Sequence, residues 1–288
     1  GTHNVVVGRD GLRAITSGAY NVALGNDTNR VNTTGSNNVA IGHDALFNNT
    51  VSNIVGIGYQ ALRSNTTGSN NLALGKSALT TATTADNNIA IGLEACQLLT
   101  TGSENTIVGT NAGDAITTGS NNTGIGRAAL GAATTSSNNT AVGYFALLSN
   151  TTGPDNTAFG YQAGDSITTG DKHVAIGGSA LSAMTTSAAC VAVGFEAMAS
   201  TTGLRNTAVG YQALKDLTSG TTNVGIGVGA GDNLRTGSNN ICIGNFTYAS
   251  ASDVSDEITL GNSSTTKFRI PGLSFTIDST NISAANNI

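Results

Sequence analysis

Apolar and polar positions along this chain repeat with a period of 17 residues. Each copy places an apolar residue directly before a glycine, a usually small residue before that, and a third, mostly β-branched residue before the central one. With that glycine as a marker there are 16 copies, and the intervals between markers are 17 residues except at Gly42–Gly58 and Gly194–Gly210, where they are 16. A period this short and regular indicates that one small structural unit is stacked many times. The marker glycines are Gly8, Gly25, Gly42, Gly58, Gly75, Gly92, Gly109, Gly126, Gly143, Gly160, Gly177, Gly194, Gly210, Gly227, Gly244 and Gly261.

The residues that end at each marker glycine predict a short β-strand. They alternate and are rich in Val, Ile and Thr, whereas Gly and Asn recur too often for a helix. Two side chains should point to one side of the strand and the small one to the other. We expect the apolar residue beside each glycine to be buried inside the coil.

Two polar features complete the repeat. Asn stands four residues before the marker in 12 of the 16 copies, and several copies contain a Thr-Thr-Gly connection. Asn tolerates turn backbone and can hydrogen-bond along stacked copies, while Gly permits a second bend. Each repeat is thus predicted to hold two extended pieces and two turns, which is one coil of an all-β parallel solenoid of about 16 coils over residues 1–261. The residues predicted to hold the repeat together include Asn38, Gly42, Asn71, Gly75, Asn139, Gly143, Asn206 and Gly210.

A single coil cannot fold alone. Its few apolar side chains contribute about 1.5–3 kcal/mol each when buried, against about 1–2 kcal/mol per residue of lost backbone entropy. The small residues at the strand centres should form a shallow strip that another surface can approach closely, so we predict three chains packed about a common axis. The alternative is that the strip closes against the second extended piece of its own coil. The strip is Ala23, Ala40, Ala73, Ala90, Ala141, Ala158, Ala175, Ala192 and Ala208.

Composition narrows the possible partners. The formal net charge is −5 and no basic stripe is present, so nucleic acid is not expected. The apolar runs are too short to cross a membrane, so no membrane insertion is expected. The chain opens in mid-repeat without Met, as an excised or processed fragment would. Cys96, Cys190 and Cys242 are expected to be buried free thiols, since a stack would hold Cys96 and Cys190 roughly 29 Å apart.

Neither an enzyme nor a cofactor or metal site is predicted. The glycines of Gly124-Ile125-Gly126-Arg127-Ala128-Ala129 belong to the repeat, and no helix follows them. The three histidines fall at different phases of the repeat, which argues against a zinc site. Asp114, Asp165 and Asp232 would lie three or four coils apart, too far for a catalytic carboxylate pair.

The position just after the marker glycine is the most variable and is predicted to face outward. Aromatic residues there bring a large contact area at low entropic cost and could stack on sugars or contact an outer-membrane protein. The alternative is that they shield the turn of the next coil. These candidate receptor contacts are Tyr59, Tyr144, Tyr161, Phe195 and Tyr211.

The run Asn206-Thr207-Ala208-Val209-Gly210-Tyr211-Gln212-Ala213-Leu214 resembles the head repeats of trimeric autotransporter adhesins. It is still more similar to the repeats of phage tail-fibre proteins, notably those of marine cyanophages. The resemblance covers roughly Asn4–Gly261 and implies a left-handed β-roll in a homotrimer. Asp256–Leu273 is similar to the segment that closes such arrays in the phage fibres. Residues 262–288 are predicted to form a short β cap or a connector to a distal domain.

The function this implies is the trimeric shaft or tip of a virion tail fibre, extracellular, meeting other tail proteins and a host receptor (a glycan or an outer-membrane protein). A bacterial trimeric adhesin on the cell surface is the nearest alternative. The stacked Thr pairs leave an ice-binding solenoid open as a third. A depolymerase ranks last, because no carboxylate constellation supports it.

Overall fold

The computed structural model describes residues 1–270 and 275–278. Sixteen strands of three residues form one parallel sheet whose order follows the chain, and the described residues contain no helix. The protein is therefore an all-β parallel solenoid of about 16 turns with a period of about 17 residues, as its repeat predicted. The strands are β1 Val5–Val7, β2 Val22–Leu24, β3 Val39–Ile41, β4 Val55–Ile57, β5 Leu72–Leu74, β6 Ile89–Ile91, β7 Thr106–Val108, β8 Thr123–Ile125, β9 Thr140–Val142, β10 Thr157–Phe159, β11 Val174–Ile176, β12 Val191–Val193, β13 Thr207–Val209, β14 Val224–Ile226, β15 Ile241–Ile243 and β16 Ile258–Leu260.

Two further strands follow the solenoid. β17 (Lys267–Ile270) and β18 (Phe275–Asp278) pair antiparallel, with Lys267 opposite Asp278. Both fall in the segment for which a short β cap was predicted. Pro271 and the rest of residues 271–274 and 279–288 lie outside the described residues.

The register of the sheet survives both short repeats. Val39 pairs with Val55 and Val191 pairs with Thr207, steps of 16 residues, while the other steps are 17. The missing residue is removed from the connection: Thr50-Val51 stands where other copies have Thr-Thr-Gly. The deletion lies outside the strands, so the strands stay aligned. A one-residue slip within a strand would instead turn its inward side chain outward.

The small residue at each strand centre faces the interior of the coil, which reverses our expectation. Leu74 and Phe159, each directly before a marker glycine, are 44% and 56% exposed. The prediction that this apolar residue is buried is wrong, and so is the prediction that the Ala strip contacts other chains. Every member of the strip is fully buried: Ala23, Ala40, Ala73, Ala90, Ala141, Ala158, Ala175, Ala192 and Ala208.

The reason is that a leucine from the turn already fills the narrow interior. Leu46 and Leu62, each four residues past a marker glycine, are fully buried. At Gly56, the centre of β4, an added Cβ would lie 3.0 Å from Leu46 Cγ. Because interiors pack to crystal-like density, the leucine leaves room for only a small residue on the strand, and Val and Ile face outward.

Successive turns follow each strand. In one coil the N–H of Ala61 donates to Gly58 O and the N–H of Arg63 donates to Gln60 O, both at 3.3 Å. The third residues of these turns, Gln60 and Leu62, have φ of 58° and 49°. A left-handed residue at this place is the feature of type II turns, and it directs the leucine inward.

The Thr-Thr-Gly connections bond layer to layer without forming strands. The N–H and the hydroxyl of Thr100 both donate to Thr117 O, at 2.8 and 3.0 Å. Thr117 repeats this toward Thr134 O at 2.9 and 3.1 Å. Among the described residues of the solenoid, each coil thus holds one strand rather than the two extended pieces we predicted.

The Asn residues form a ladder inside the stack, as expected. Asn122 Oδ1 accepts hydrogen bonds from the N–H and Nδ2 of Asn139 at 3.0 and 3.3 Å, and Asn122 Nδ2 donates to Ser136 O at 3.0 Å. Each rung therefore holds the strand entry and the connection of the next coil. Asn38, Asn71, Asn139 and Asn206 are all buried, and each Oδ1 accepts the N–H one coil further on.

The marker glycines are required by their backbone. Gly42, Gly75, Gly143 and Gly210 have φ between 121° and 143°, a region that side-chain-bearing residues rarely adopt. A Cβ on Gly143 would also lie 2.3 Å from Gly160 O. Glycine is thus fixed both by conformation and by the close approach of the next layer.

Candidate functional site

All five predicted contact residues lie on the outside of the solenoid. Tyr161 is the most exposed of them, at 56%, and Tyr144 the least, at 36%. Tyr59, Phe195 and Tyr211 fall between these two. Their outward placement agrees with the sequence analysis, whereas contact with a receptor stays a prediction.

The structure brings four of the five together in two stacked pairs. Tyr144 and Tyr161 stack with ring centroids 5.6 Å apart and planes 6° from parallel. Phe195 and Tyr211 stack at 5.7 Å and 13°. In-register layers rise about 4.8 Å, so equal positions on neighbouring coils put one ring over the next. Tyr59 lies apart from these pairs and stacks on His43 at 5.7 Å.

We call the residues after the marker glycines of six coils the aromatic row: Arg127, Tyr144, Tyr161, Gly178, Phe195 and Tyr211. The Arg127 guanidinium lies 5.7 Å from the Tyr144 ring centroid, a cation–π distance. Gly178 contributes no side chain, so the row is divided at that coil. The sequence alone gives these positions, but the stacking depends on the register.

A polar row runs beside the aromatic row, one residue further along each turn, and includes Gln162, Ser179, Glu196 and Gln212. Glu196 Oε2 accepts a hydrogen bond from Gln212 Nε2 at 2.8 Å and pairs with Lys215 Nζ at 2.6 Å. These hydrogen bonds hold the pKa of the Glu196 carboxyl below its ordinary value, the one from Lys215 most strongly. The carboxylate is therefore held in a fixed place beside the rings.

The second surface feature is the strand face, made of the outward first and third residues of β1–β16. Ile125, Ile176 and Ile226 are 40%, 38% and 39% exposed. Several first positions are Thr instead, as at Thr140 and Thr157. The sequence analysis did not predict this exposed face. Its signal in the sequence is that Thr recurs at the first strand position while the strand centres stay small, which indicates that the first and third positions meet water.

Sequence reasoning also missed a group near the start of the solenoid. Ligand atoms of Asp27, His43 and Asp44 lie within 4.8 Å of one another. Both carboxylates are already paired, Asp27 with Arg30 at 3.3 Å and Asp44 with Arg63 at 3.1 Å. Because arginine already neutralises both acids, this group is better described as an ion-pair cluster than as a cation site.

The three thiols are free and buried, as expected. Burial raises the pKa of each, that of Cys242 to about 11. Such thiols stay protonated at neutral pH and are poor nucleophiles. They are packing residues of the core rather than members of a site.

No protein-family model matches this chain, and no curated protein sequence matches it either. Among the described residues, no helix is both long and apolar enough to span a membrane.

Proposed function

We propose that this protein is a structural and host-recognition component of a virion tail fibre, a trimeric shaft or tip. The observation that carries the proposal is the in-register stack of 16 strands. At about 4.8 Å per layer the stack extends roughly 75 Å. A rod of this kind suits a spacer that holds a binding surface away from a particle.

The trimer is proposed to form through the strand face. A strip about 75 Å long and about 7 Å between its two columns of side chains gives roughly 500 Å² of mainly apolar surface. A typical monomer exposes no larger patch than about 300–600 Å², and patches of that size mark interaction sites. Three left-handed copies about one axis would each cover this face.

Recognition is assigned to the aromatic row, with a host glycan or outer-membrane protein as partner and other tail proteins joined at the ends. Exposed rings beside a polar row combine apolar area with hydrogen-bonding groups, as binding surfaces do. The protein is proposed to bind and not to catalyse. Its proposed location is the virion, outside the cell.

Mass and cell binding test this function. Light scattering is expected to give about three times 28.7 kDa. A monomer at all concentrations would contradict the fibre. Replacing Tyr161 and Tyr211 by Ala should reduce binding to target cells, and unchanged binding with a lower Tm would mean that the rings only shield the coils.

A bacterial trimeric surface adhesin uses the same rod and the same faces. It is separated from the tail fibre by where the chain is found, in purified virions or beside a membrane anchor.

An ice-binding solenoid is favoured by one observation, a row of exposed Thr that includes Thr67, Thr101 and Thr118. The other Thr of each pair is engaged, since the Thr100 hydroxyl donates to Thr117 O. Only one of the two Thr columns therefore faces outward with its hydroxyl free of these bonds. A thermal-hysteresis measurement tests this alternative.

A further inference from the structure

We propose that Tyr161 and Phe195 form a slot that binds one neutral pyranose ring of a glycan over Gly178. This rests on the attachment function proposed above and names its ligand. Gly178 is the only glycine among the 16 residues that directly follow a marker glycine. The stack Tyr144–Tyr161 therefore ends on one side of this coil, and the stack Phe195–Tyr211 begins on the other.

The gap has the thickness of one ring. Two layers separate Tyr161 from Phe195, which is about 9.6 Å along the rod. Phe195 leans into the gap, since its Cδ2 and Cε2 lie 3.2 and 3.4 Å from the place a Cβ on Gly178 would take. The nearest atom of Tyr161 to that place is its carbonyl oxygen, at 3.9 Å. Because Phe195 leans toward Gly178, the space between the two rings is smaller than the two-layer spacing. Carbon contacts of about 3.5–4.0 Å on both faces require roughly 7–8 Å between rings, so the slot accepts one inserted ring at most.

The surroundings favour a sugar over an aromatic peptide side chain. Tyr161 and Phe195 offer ring faces, while Gln162, Ser179 and Glu196 stand beside them on the same three coils. These side chains can donate and accept hydrogen bonds. A pyranose has C–H faces for the rings and hydroxyls for the polar row, whereas a phenyl ring offers the polar row no hydrogen-bonding group. Glu196 is already neutralised by Lys215, so an uncharged sugar fits best.

Gly178→Leu tests the slot by filling it. Its backbone does not lie in the left-handed region, and Leu93 occupies the same repeat position five coils earlier, so the variant should fold. The probes are the methyl α- and β-glycosides of glucose, galactose and mannose, with saturation-transfer NMR on the full chain. We expect wild type to bind at least one, and Gly178→Leu to bind it at least tenfold more weakly, about 1.4 kcal/mol. Its Tm should be equal or higher, because the coil gains a side chain between two rings.

Matched controls locate the effect. Thr110→Leu adds the same side chain at the same repeat position away from the slot, and should leave binding unchanged. Tyr161→Ala and Phe195→Ala should each weaken binding roughly threefold to tenfold, about 0.7–1.4 kcal/mol. Tyr144→Ala and Tyr211→Ala, the outer members of the pairs, should change binding less than about twofold, under 0.5 kcal/mol.

Three results would overturn the slot: no glycoside binds wild type, Gly178→Leu binds the glycoside as well as wild type does, or all four Ala variants lose the same amount of glycoside affinity. Attachment is scored separately, by binding of wild type to a panel of whole bacteria. If wild type and Gly178→Leu bind the same cells equally well, the slot is wrong but the proposed attachment function still holds. Failure of wild type to bind any of the cells would remove attachment itself.

Discussion

At the scale of single residues, the interior ladder shows how one side chain can stand in for another. His173 occupies a position held by Asn in most coils and is almost fully buried. Its Nδ1 accepts the N–H of Cys190 at 3.2 Å, and its Nε2 lies 2.6 Å from Ser187 O and donates to it. The neutral ring thus reproduces both bonds of an Asn amide. A protonated ring would place an N–H at Nδ1 against the N–H of Cys190.

This arrangement makes stability depend on pH. Burial lowers the pKa of His173 from its ordinary value of 6.5, opposed by the Ser187 hydrogen bond and by Asp171. As pH falls below about 6.5, the unfolded chain takes up a proton that the folded chain does not, so the unfolding free energy decreases. The slope from this one group is at most about 1.4 kcal/mol per pH unit. Above that pH the contribution is constant.

His173→Asn restores the usual residue and should remove this slope. Urea unfolding of wild type and variant across pH 5 to 8 measures the difference, on a scale of about 1.4 kcal/mol per pH unit. His3→Asn, at another exposed histidine, is the matched control. Identical pH dependence in wild type and His173→Asn would contradict the prediction.

The marker glycines give a second prediction at this scale. Gly143→Ala places a Cβ 2.3 Å from Gly160 O at a φ of 139°. Backbone strain of about 1–3 kcal/mol and overpacking of about 1–3 kcal/mol should together lower stability by roughly 2–6 kcal/mol. Gly131→Ala, whose added Cβ meets the end of the Leu148 side chain at 3.1 Å, should change it by less than about 1 kcal/mol. Thermal unfolding compares the two, and equal losses would show that the marker backbone is not what requires glycine.

At the scale of the element, strand and turn share one internal volume. Ile107 is the exception among strand centres, a large residue that is fully buried. In its coil the turn position usually held by Leu is Gly113, and a Cβ there would lie 2.8 Å from Ile116 Cδ1 and 3.4 Å from both Cδ1 and Cγ2 of Ile107. Ile107 and Ile116, both fully buried, together fill the space that a turn leucine fills in other coils.

A double-mutant cycle tests this exchange. Ile107→Ala opens a cavity and should cost about 2–5 kcal/mol, while Gly113→Leu overpacks the coil and should cost about 1–3 kcal/mol. The double variant recreates the usual Ala and Leu pair, so its loss should fall below the sum by more than about 1 kcal/mol. Additive losses in denaturant unfolding would mean that the two sites do not share space.

This element also shows where sequence reasoning succeeds and fails. The marker spacing predicted each strand, its parallel stacking and the Asn ladder, because all three follow from a fixed period. It did not predict which side of each strand faces the interior, since Val and Ala are both apolar and three residues show too little contrast in polarity. The deciding fact, that Leu62 turns inward at a φ of 49°, lies in turn geometry that the strand pattern does not contain.

The candidate sites divide in the same way. Tyr161 and Phe195 could be placed on the surface from their position after the marker, and the missing side chain at Gly178 is visible in the sequence. Their ring stacking required the exact layer spacing. Asp27 and Asp44 are 17 residues apart and could have been paired from the period alone. Their arginine partners could not, because long side chains reach between coils.

At the scale of the whole molecule, the proposed trimer depends on the strand face. Lysine on this face should be tolerated in a single chain, where the position meets water, and should be costly between chains, where an unpaired charge would be buried. Ile176→Lys with Ile226→Lys is expected to convert the proposed trimer to monomers while the far-UV circular dichroism stays unchanged. Thr118→Lys with Thr169→Lys adds the same charge on the connections and should remain trimeric. Light scattering measures the mass of both double variants. A strand-face double variant that stays trimeric would mean that the interface lies elsewhere.

The ladder inside the stack also determines where such a rod would break under tension. The hydrogen bonds between layers lie along the long axis, so a pull on the two ends loads the layers in series and the weakest one yields first. Ile54 has no amide to offer the layer that follows, and the Cys190 thiol, which donates to Gly203 O at 3.3 Å, is a poor acceptor for the next N–H. These two layers are therefore expected to be the first in the solenoid to separate under tension, and restoring asparagine at either would move the point of rupture to the other.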